Sequence, residues 1–134
     1  MRRLITSVII FFSASTFFSE ASVAQSGKFV APSWTDTLVN PVKNNREATL
    51  GGKHLYQTDC APCHGNEGKG NGIAAAGLSV PPVDHTSAAV QRQSDGALFW
   101  MITNGHLPMP SFKLILTTQQ RWELVSFIRT LKKH

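Results

Sequence analysis

The sequence predicts an all-α protein in which short helices and loops pack around a bound body larger than any of its own side chains. Three observations lead there. Apolar residues recur at spacings of three and four between helix start and stop signals, and no period-two alternation is long enough for a sheet. The chain has 134 residues, enough for one domain whose core is marginal if built from side chains alone. Its two cysteines, Cys60 and Cys63, could supply a staple, but a disulfide across two intervening residues closes too short a loop to remove much chain entropy.

The elements follow in order. Met1 precedes Arg2 and Arg3, then a mostly apolar stretch from Leu4 to Phe18, then a short polar segment ending Ser22-Val23-Ala24. That is the order of a secretory signal, so residues 1–24 are expected to be cleaved on export to the periplasm. The apolar stretch is shorter than the roughly 20 residues a membrane anchor needs, and Thr6, Ser7, Ser13, Ser15 and Thr16 interrupt it. No later run is long enough either, so no stable membrane insertion is expected after cleavage. Residues 25–45 read as an N-terminal arm, polar and punctuated by Pro32 and Pro41, which forbid a continuous helix. It is expected to be extended, wrapping the domain or staying loose.

The folded domain is expected over residues 46–134. Asn44 or Asn45 caps a helix that runs from Arg46 through Leu50, Leu55 and Tyr56 into Cys60, with Glu47 favourable in its first turn. Pro62 and Gly65 are expected to end it. Gly65, Gly68, Gly70 and Gly72 make the next stretch an irregular loop, Ile73 to Ala76 form a single turn closed by Gly77, and Pro81-Pro82 stops any helix. Ser94 caps a second main helix, which carries Asp95, Leu98, Phe99, Trp100 and Ile102 to Asn104-Gly105. A rigid loop follows, with Met109 between Pro108 and Pro110. The last helix opens on Thr117-Thr118-Gln119-Gln120, a capping-box pattern. It presents Leu124, Phe127, Ile128 and Leu131 on one face and ends with Lys132 and Lys133 at the negative end of its dipole.

Charge narrows the partners. The chain carries a net +5, and removal of Arg2, Arg3 and Glu20 with the signal leaves 11 basic and 7 acidic residues, a net of +4. This suits an acidic protein partner or an anionic surface. Nucleic acid is not expected, because the basic residues are scattered and the chain is exported.

The run Cys60-Ala61-Pro62-Cys63-His64-Gly65 carries the chemistry, and it has three readings. A redox dithiol needs its C-x-x-C at the start of a helix, where the dipole lowers the pKa of the first thiol; here a helical run precedes Cys60 and glycines follow. A structural zinc site commonly needs two such pairs, and zinc would have to recruit His54, His85 or His106. Haem answers both objections: C-x-x-C-H is its attachment signature, each thiol forming a thioether to a vinyl group and His64 coming to lie under the iron. Haem also supplies the missing core.

A sixth ligand follows from loop stiffness. Met109, locked between two prolines, has no helical face to fill, and its thioether favours reduced haem iron. His106 is its competitor. Met101 reads as helix packing, His54 and His85 as surface histidines, and His134 as the terminus.

The stretches "GKHLYQTDCAPCHG" at 52–65, "GALFWMITNGHLPMPSF" at 96–112 and "RWELVSFIRTL" at 121–131 resemble the mono-haem class I cytochromes c, including the haem-bearing domains of haem-copper oxidase subunits. The resemblance covers about residues 47–132 and leaves the arm unexplained. It implies the cytochrome c fold, with Gly52 and Tyr56 letting the first helix cross the last one closely at Leu124 and Phe127. It also implies that a carbonyl of Pro81 or Pro82 accepts the Nδ1–H of His64, and that Trp100 walls the haem pocket. The expected protein is a periplasmic one-electron carrier, not an enzyme, holding one covalent haem c through Cys60 and Cys63 with His64 and Met109 on the iron. Its partners would be redox proteins, such as a membrane oxidase or dehydrogenase, with Lys53, Lys69 and Lys113 as a basic rim. The alternatives are a haem enzyme or ligand sensor with a displaceable sixth ligand, or a haem subunit of a larger complex.

Overall fold

The computed structural model describes residues 29–133. The expected signal at 1–24, the start of the arm and His134 lie outside the described residues. Among the described residues five α-helices follow one another: α1 (Arg46–Leu55), α2 (Ala61–His64), α3 (Ala88–Gln91), α4 (Asp95–Asn104) and α5 (Thr118–Thr130). Among the described residues no strand forms, and the one isolated antiparallel bridge joins His106 to Met109. No helix of the described residues is long and apolar enough to cross a membrane.

Local signals set the helix starts. The Asn45 side chain accepts the Ala48 N–H at 2.9 Å, Ser94 Oγ accepts the Ala97 N–H at 3.0 Å, and Thr117 and Gln120 form a complete capping box. Each satisfies a backbone donor that the first helical turn leaves free. The short helix α3 was not among the expected elements. Its signal is Ser87, whose Oγ accepts the Val90 N–H at 3.4 Å, but four residues are too few to show a period.

Between α1 and α2 the expectation of one helix running into Cys60 and ended by Pro62 and Gly65 holds at Gly65 but not at Pro62. Residues Tyr56–Cys60 form a widened π turn, in which the Ala61 N–H reaches back to the Tyr56 carbonyl. A fresh α turn then starts at Ala61, so Pro62 falls in its first turn, where no N–H is needed. The helix therefore continues through Cys63 and His64 and ends at Gly65, whose φ is +77°.

The core is one cluster that includes Tyr56, Leu98, Ile102, Phe112, Trp122, Leu124, Val125 and Ile128. Its main contact is α1 against α5, and just past the end of α1 the Tyr56 ring lies 5.0 Å from that of Phe127. On the other side of α5, Phe99 of α4 stacks on Trp122 at 4.0 Å, and the guanidinium of Arg121 lies 5.0 Å from the Phe99 ring centre.

The arm residues 29–45 wrap the start of α4. A 3-10 turn at Ser33–Thr37 buries Thr35 completely, and its carbonyl approaches Gly96 so closely that a Cβ there would collide with it. Asn40 donates to Asp95 at 3.1 Å and to Ser126 at 3.2 Å, bridging α4 and α5. Asn40, together with Leu38 and Val42 packed against the core, therefore ties the arm to the domain.

Candidate functional site

One helical turn presents three of the four expected site residues together. Cys60 ends the π turn, and Cys63 and His64 follow on α2. Both thiols are free and half-buried. Burial, reinforced by the charges of Asp59 and Cys63, pushes the Cys60 thiol up to about 12. A redox dithiol requires the opposite shift in its attacking thiol, so Cys60 is not set up for disulfide exchange.

The glycine-rich loop holds this turn in place. Gly70, Gly72 and Ala74 donate their N–H groups to the carbonyls of His64, Cys63 and Pro62 at 2.8, 3.0 and 2.9 Å. The carbonyls that the end of a helix leaves unpaired are thus capped in succession. At Gly72 a Cβ would meet the Ala61 and Pro62 carbonyl oxygens, so only glycine permits this approach.

His64 is buried, and burial lowers its pKa against the opposing effect of its hydrogen bond to Val83. Its Nδ1 lies 3.1 Å from the Val83 carbonyl. A carbonyl only accepts, so Nδ1 carries the proton and Nε2 keeps its lone pair for a metal. The acceptor is Val83 and not Pro81 or Pro82. Gly70 passes so close to the Pro82 carbonyl that a Cβ there would collide with it.

Met109 is half-buried and packs against the core cluster that also receives Cys60. His106 N–H donates to the Met109 carbonyl and Met109 N–H to the His106 carbonyl, both at 2.9 Å. Ser111 Oγ donates to the Thr103 carbonyl at 2.7 Å, and the Phe112 N–H to the Ile102 carbonyl at 3.1 Å. The Met109 loop is thereby closed on itself by His106 and fastened to the end of α4 by the two residues after Pro110. The His106 ring instead stacks on Phe29 of the arm, at 5.0 Å and 10°. Trp100 is half-buried, its ring 5.6 Å from Phe29.

Of the remaining histidines, His54 is exposed as expected. His85 is not: it is buried against His64, with ring centres 4.1 Å apart. Its Asp-His-Thr setting reads as a polar loop, and nothing local announces that burial. Among the described residues no group of three or more His, Cys, Asp or Glu side chains gathers to hold a metal ion without haem. A free thiol pair on one turn beside a histidine with an open Nε2 fits haem attachment and fits zinc poorly.

The family model described as cytochrome C oxidase, cbb3-type, subunit III matches residues 47–128. No curated protein matches the sequence. Among solved structures, a chain of the Kuenenia stuttgartiensis reducing HAO-like protein complex Kustc0457/Kustc0458 is 28% identical with a TM-score of 0.65. The match covers 73% of this chain and 49% of that one, so this chain spans about half its length. The KustC0563 c-type cytochrome is 31% identical over 61% of this chain and 98% of its own, with a TM-score of 0.53. Cytochrome cL from the marine bacterium Methylophaga aminisulfidivorans, 21% identical over 67% of this chain and 59% of its own, has a TM-score of 0.54 and shares the fold. The family match spans the turn that bears both thiols and His64, and with it the chain belongs to the mono-haem class I cytochromes c and carries a c-type haem.

Proposed function

We propose that the mature chain is a periplasmic one-electron carrier, in which His64 and Met109 ligate the haem iron and Cys60 and Cys63 anchor the porphyrin through thioethers. Bound haem supplies a reversible one-electron iron couple. The observation that carries this reading is the His64–Val83 hydrogen bond of 3.1 Å, which fixes the tautomer, leaves Nε2 as the donor and raises its basicity. The pinned loop supports Met109: a thioether held by backbone bonds on both sides needs little ordering to serve as a ligand. With His64 and Met109 both serving as its ligands, bound haem would have no position left for a substrate, which favours electron exchange over catalysis.

Redox proteins would meet this carrier through a small, transient contact. Lys53 and Lys113 are exposed, and Lys69 is ion-paired with Glu67. A basic rim then rests mainly on the first two, and transfer to an acidic partner should slow as ionic strength rises.

A second reading, a haem subunit of a larger assembly, is favoured by the likeness to a chain of the HAO-like complex. Trp34 and Val39 on the arm, 57% and 83% exposed, would supply apolar contact area. Co-purification of a partner with the tagged, exported protein would separate a subunit from a free shuttle.

The deciding test is carbon monoxide binding to the reduced holoprotein at neutral pH. The unaltered protein is expected to resist it, and Met109→Ala to bind it readily. Tight binding by the unaltered protein would overturn the carrier reading in favour of a haem enzyme or ligand sensor.

A further inference from the structure

We propose that His85 is a positioning residue for the axial imidazole: stacked on His64 and tied to Tyr56, it fixes the plane of the His64 ring and lowers the reduction potential. This rests on the reading of His64 as an iron ligand.

The stack is close and nearly parallel, with ring centres 4.1 Å apart and planes 17° apart. The Val83 carbonyl restrains His64 at a single in-plane atom. A ring held only there can still tilt about that bond. A second flat ring against its face removes this freedom, so Val83 sets where Nδ1 points and His85 sets the plane.

His85 is itself held at three points. Its Nδ1 lies 2.9 Å from the Tyr56 hydroxyl, its N–H donates to the Gly68 carbonyl at 2.7 Å, and its carbonyl accepts from Gln91 Nε2 at 2.7 Å. Tyr56 is fully buried against Phe127. Gly68, with φ of +76°, leaves the room: a Cβ there would lie 3.1 Å from His85 Cβ and 3.3 Å from the Tyr56 hydroxyl oxygen. An aliphatic side chain at 85 could fill the space, but it would neither stack flat nor bond Tyr56.

The electronic consequence follows from the stack. The π face of a neutral aromatic ring favours positive charge placed over it, and an axial imidazole carries more positive charge on ferric than on ferrous iron. His85 therefore stabilises the oxidised form. Its loss also makes the pocket less polar, which shifts the potential the same way.

The test uses the exported holoprotein and two variants, His85→Leu and Tyr56→Phe. The second keeps the ring against Phe127 and removes only the hydroxyl. For each, the midpoint potential is measured by redox titration and the hyperfine-shifted proton NMR pattern is recorded for the ferric form. Both variants are expected to raise the potential and change the spread of the shifted haem methyl signals, His85→Leu more than Tyr56→Phe. If His85→Leu takes up no haem, Tyr56→Phe decides alone. Unchanged potential and pattern, with iron-bound imidazole signals from His64 in the unaltered protein, would overturn the proposal and leave the ligation intact. Absence of those signals in the unaltered protein would overturn the ligation itself and the proposal with it.

Discussion

Gly52 of α1 lies directly on the backbone of Glu123 in α5, so closely that a Cβ at Gly52 would fall within van der Waals overlap of the Glu123 carbonyl oxygen and carbon. The two helices that frame the haem-bearing turn thus meet backbone to backbone. Substituting Gly52→Ala should remove some conformational entropy from the unfolded chain, worth up to about 1 kcal/mol. The clash works against this and is larger, because a carbonyl in mid-helix cannot rotate away as a side chain could. We expect a net loss of about 2 kcal/mol, measured as a lower denaturant midpoint of the holoprotein. An unchanged midpoint would show that α1 and α5 slide apart freely.

The capping box at the start of α5 is exposed, so its contribution is separable from packing. Thr117 Oγ1 accepts the Gln120 N–H at 3.2 Å and Gln120 Oε1 accepts the Thr117 N–H at 2.9 Å. Thr117→Ala should cost about 1 kcal/mol, read from the same unfolding curve, while Thr117→Ser should restore most of it.

Arg129 closes the opposite end of α5 onto α4. Its Nε donates to Asp95 at 2.7 Å, and its terminal nitrogens donate to the Gln91 and Gln93 carbonyls. The pair is largely shielded, with side chains 25% and 16% exposed, and Asp95 also receives Asn40 from the arm. Arg129→Met should cost about 2 kcal/mol, since it strands a half-buried carboxylate and two carbonyls. Because Asp95 is shared, Asn40→Ala and Arg129→Met should be non-additive in a double-mutant cycle.

Asp84 gives an acid-side prediction. Hydrogen bonds from the Thr86 hydroxyl and N–H, at 2.6 and 2.8 Å, hold its carboxylate below the usual value of 3.8. The unfolded chain then takes up this proton first as the pH falls. The stabilisation is complete at neutral pH and is lost as the pH drops below 3.8 and through the lower folded value. The gap in melting temperature between the unaltered protein and Asp84→Asn should be constant above about pH 5 and shrink in acid. A gap independent of pH would remove Asp84 from the acid response.

What lay within a single turn was legible in the sequence. The spacing of Cys60, Cys63 and His64 places them together whatever the rest of the chain does, because residues three and four positions apart on a helical turn are neighbours. Asn45, Ser94 and Thr117 as caps, and Gly65 as the stop after His64, follow from the same short-range bonding. The crossing of α1 and α5 was legible through the likeness of Gly52 and Tyr56 to a known pattern, not from their own periodicity.

Contacts that close long loops belonged to the tertiary structure. Which carbonyl receives His64 depends on the path of the loop between Gly65 and Val83, and that path is set by the backbone bonds of Gly70, Gly72 and Ala74 to the end of α2. Prolines at 81 and 82 marked the region but not the register. The burial of His85 depends on bonds from Gly68 and Gln91 and on a hydroxyl 29 positions earlier in the chain. The docking of the arm depends on Asn40 reaching both α4 and α5. The sequence by itself determined the grouping of Cys60, Cys63 and His64 and the capped starts of α1, α4 and α5, where the interacting groups are neighbours along the chain. Only the tertiary structure decided Val83, His85 and the arm, because their partners are brought near by folding and no local preference encodes the closing distance.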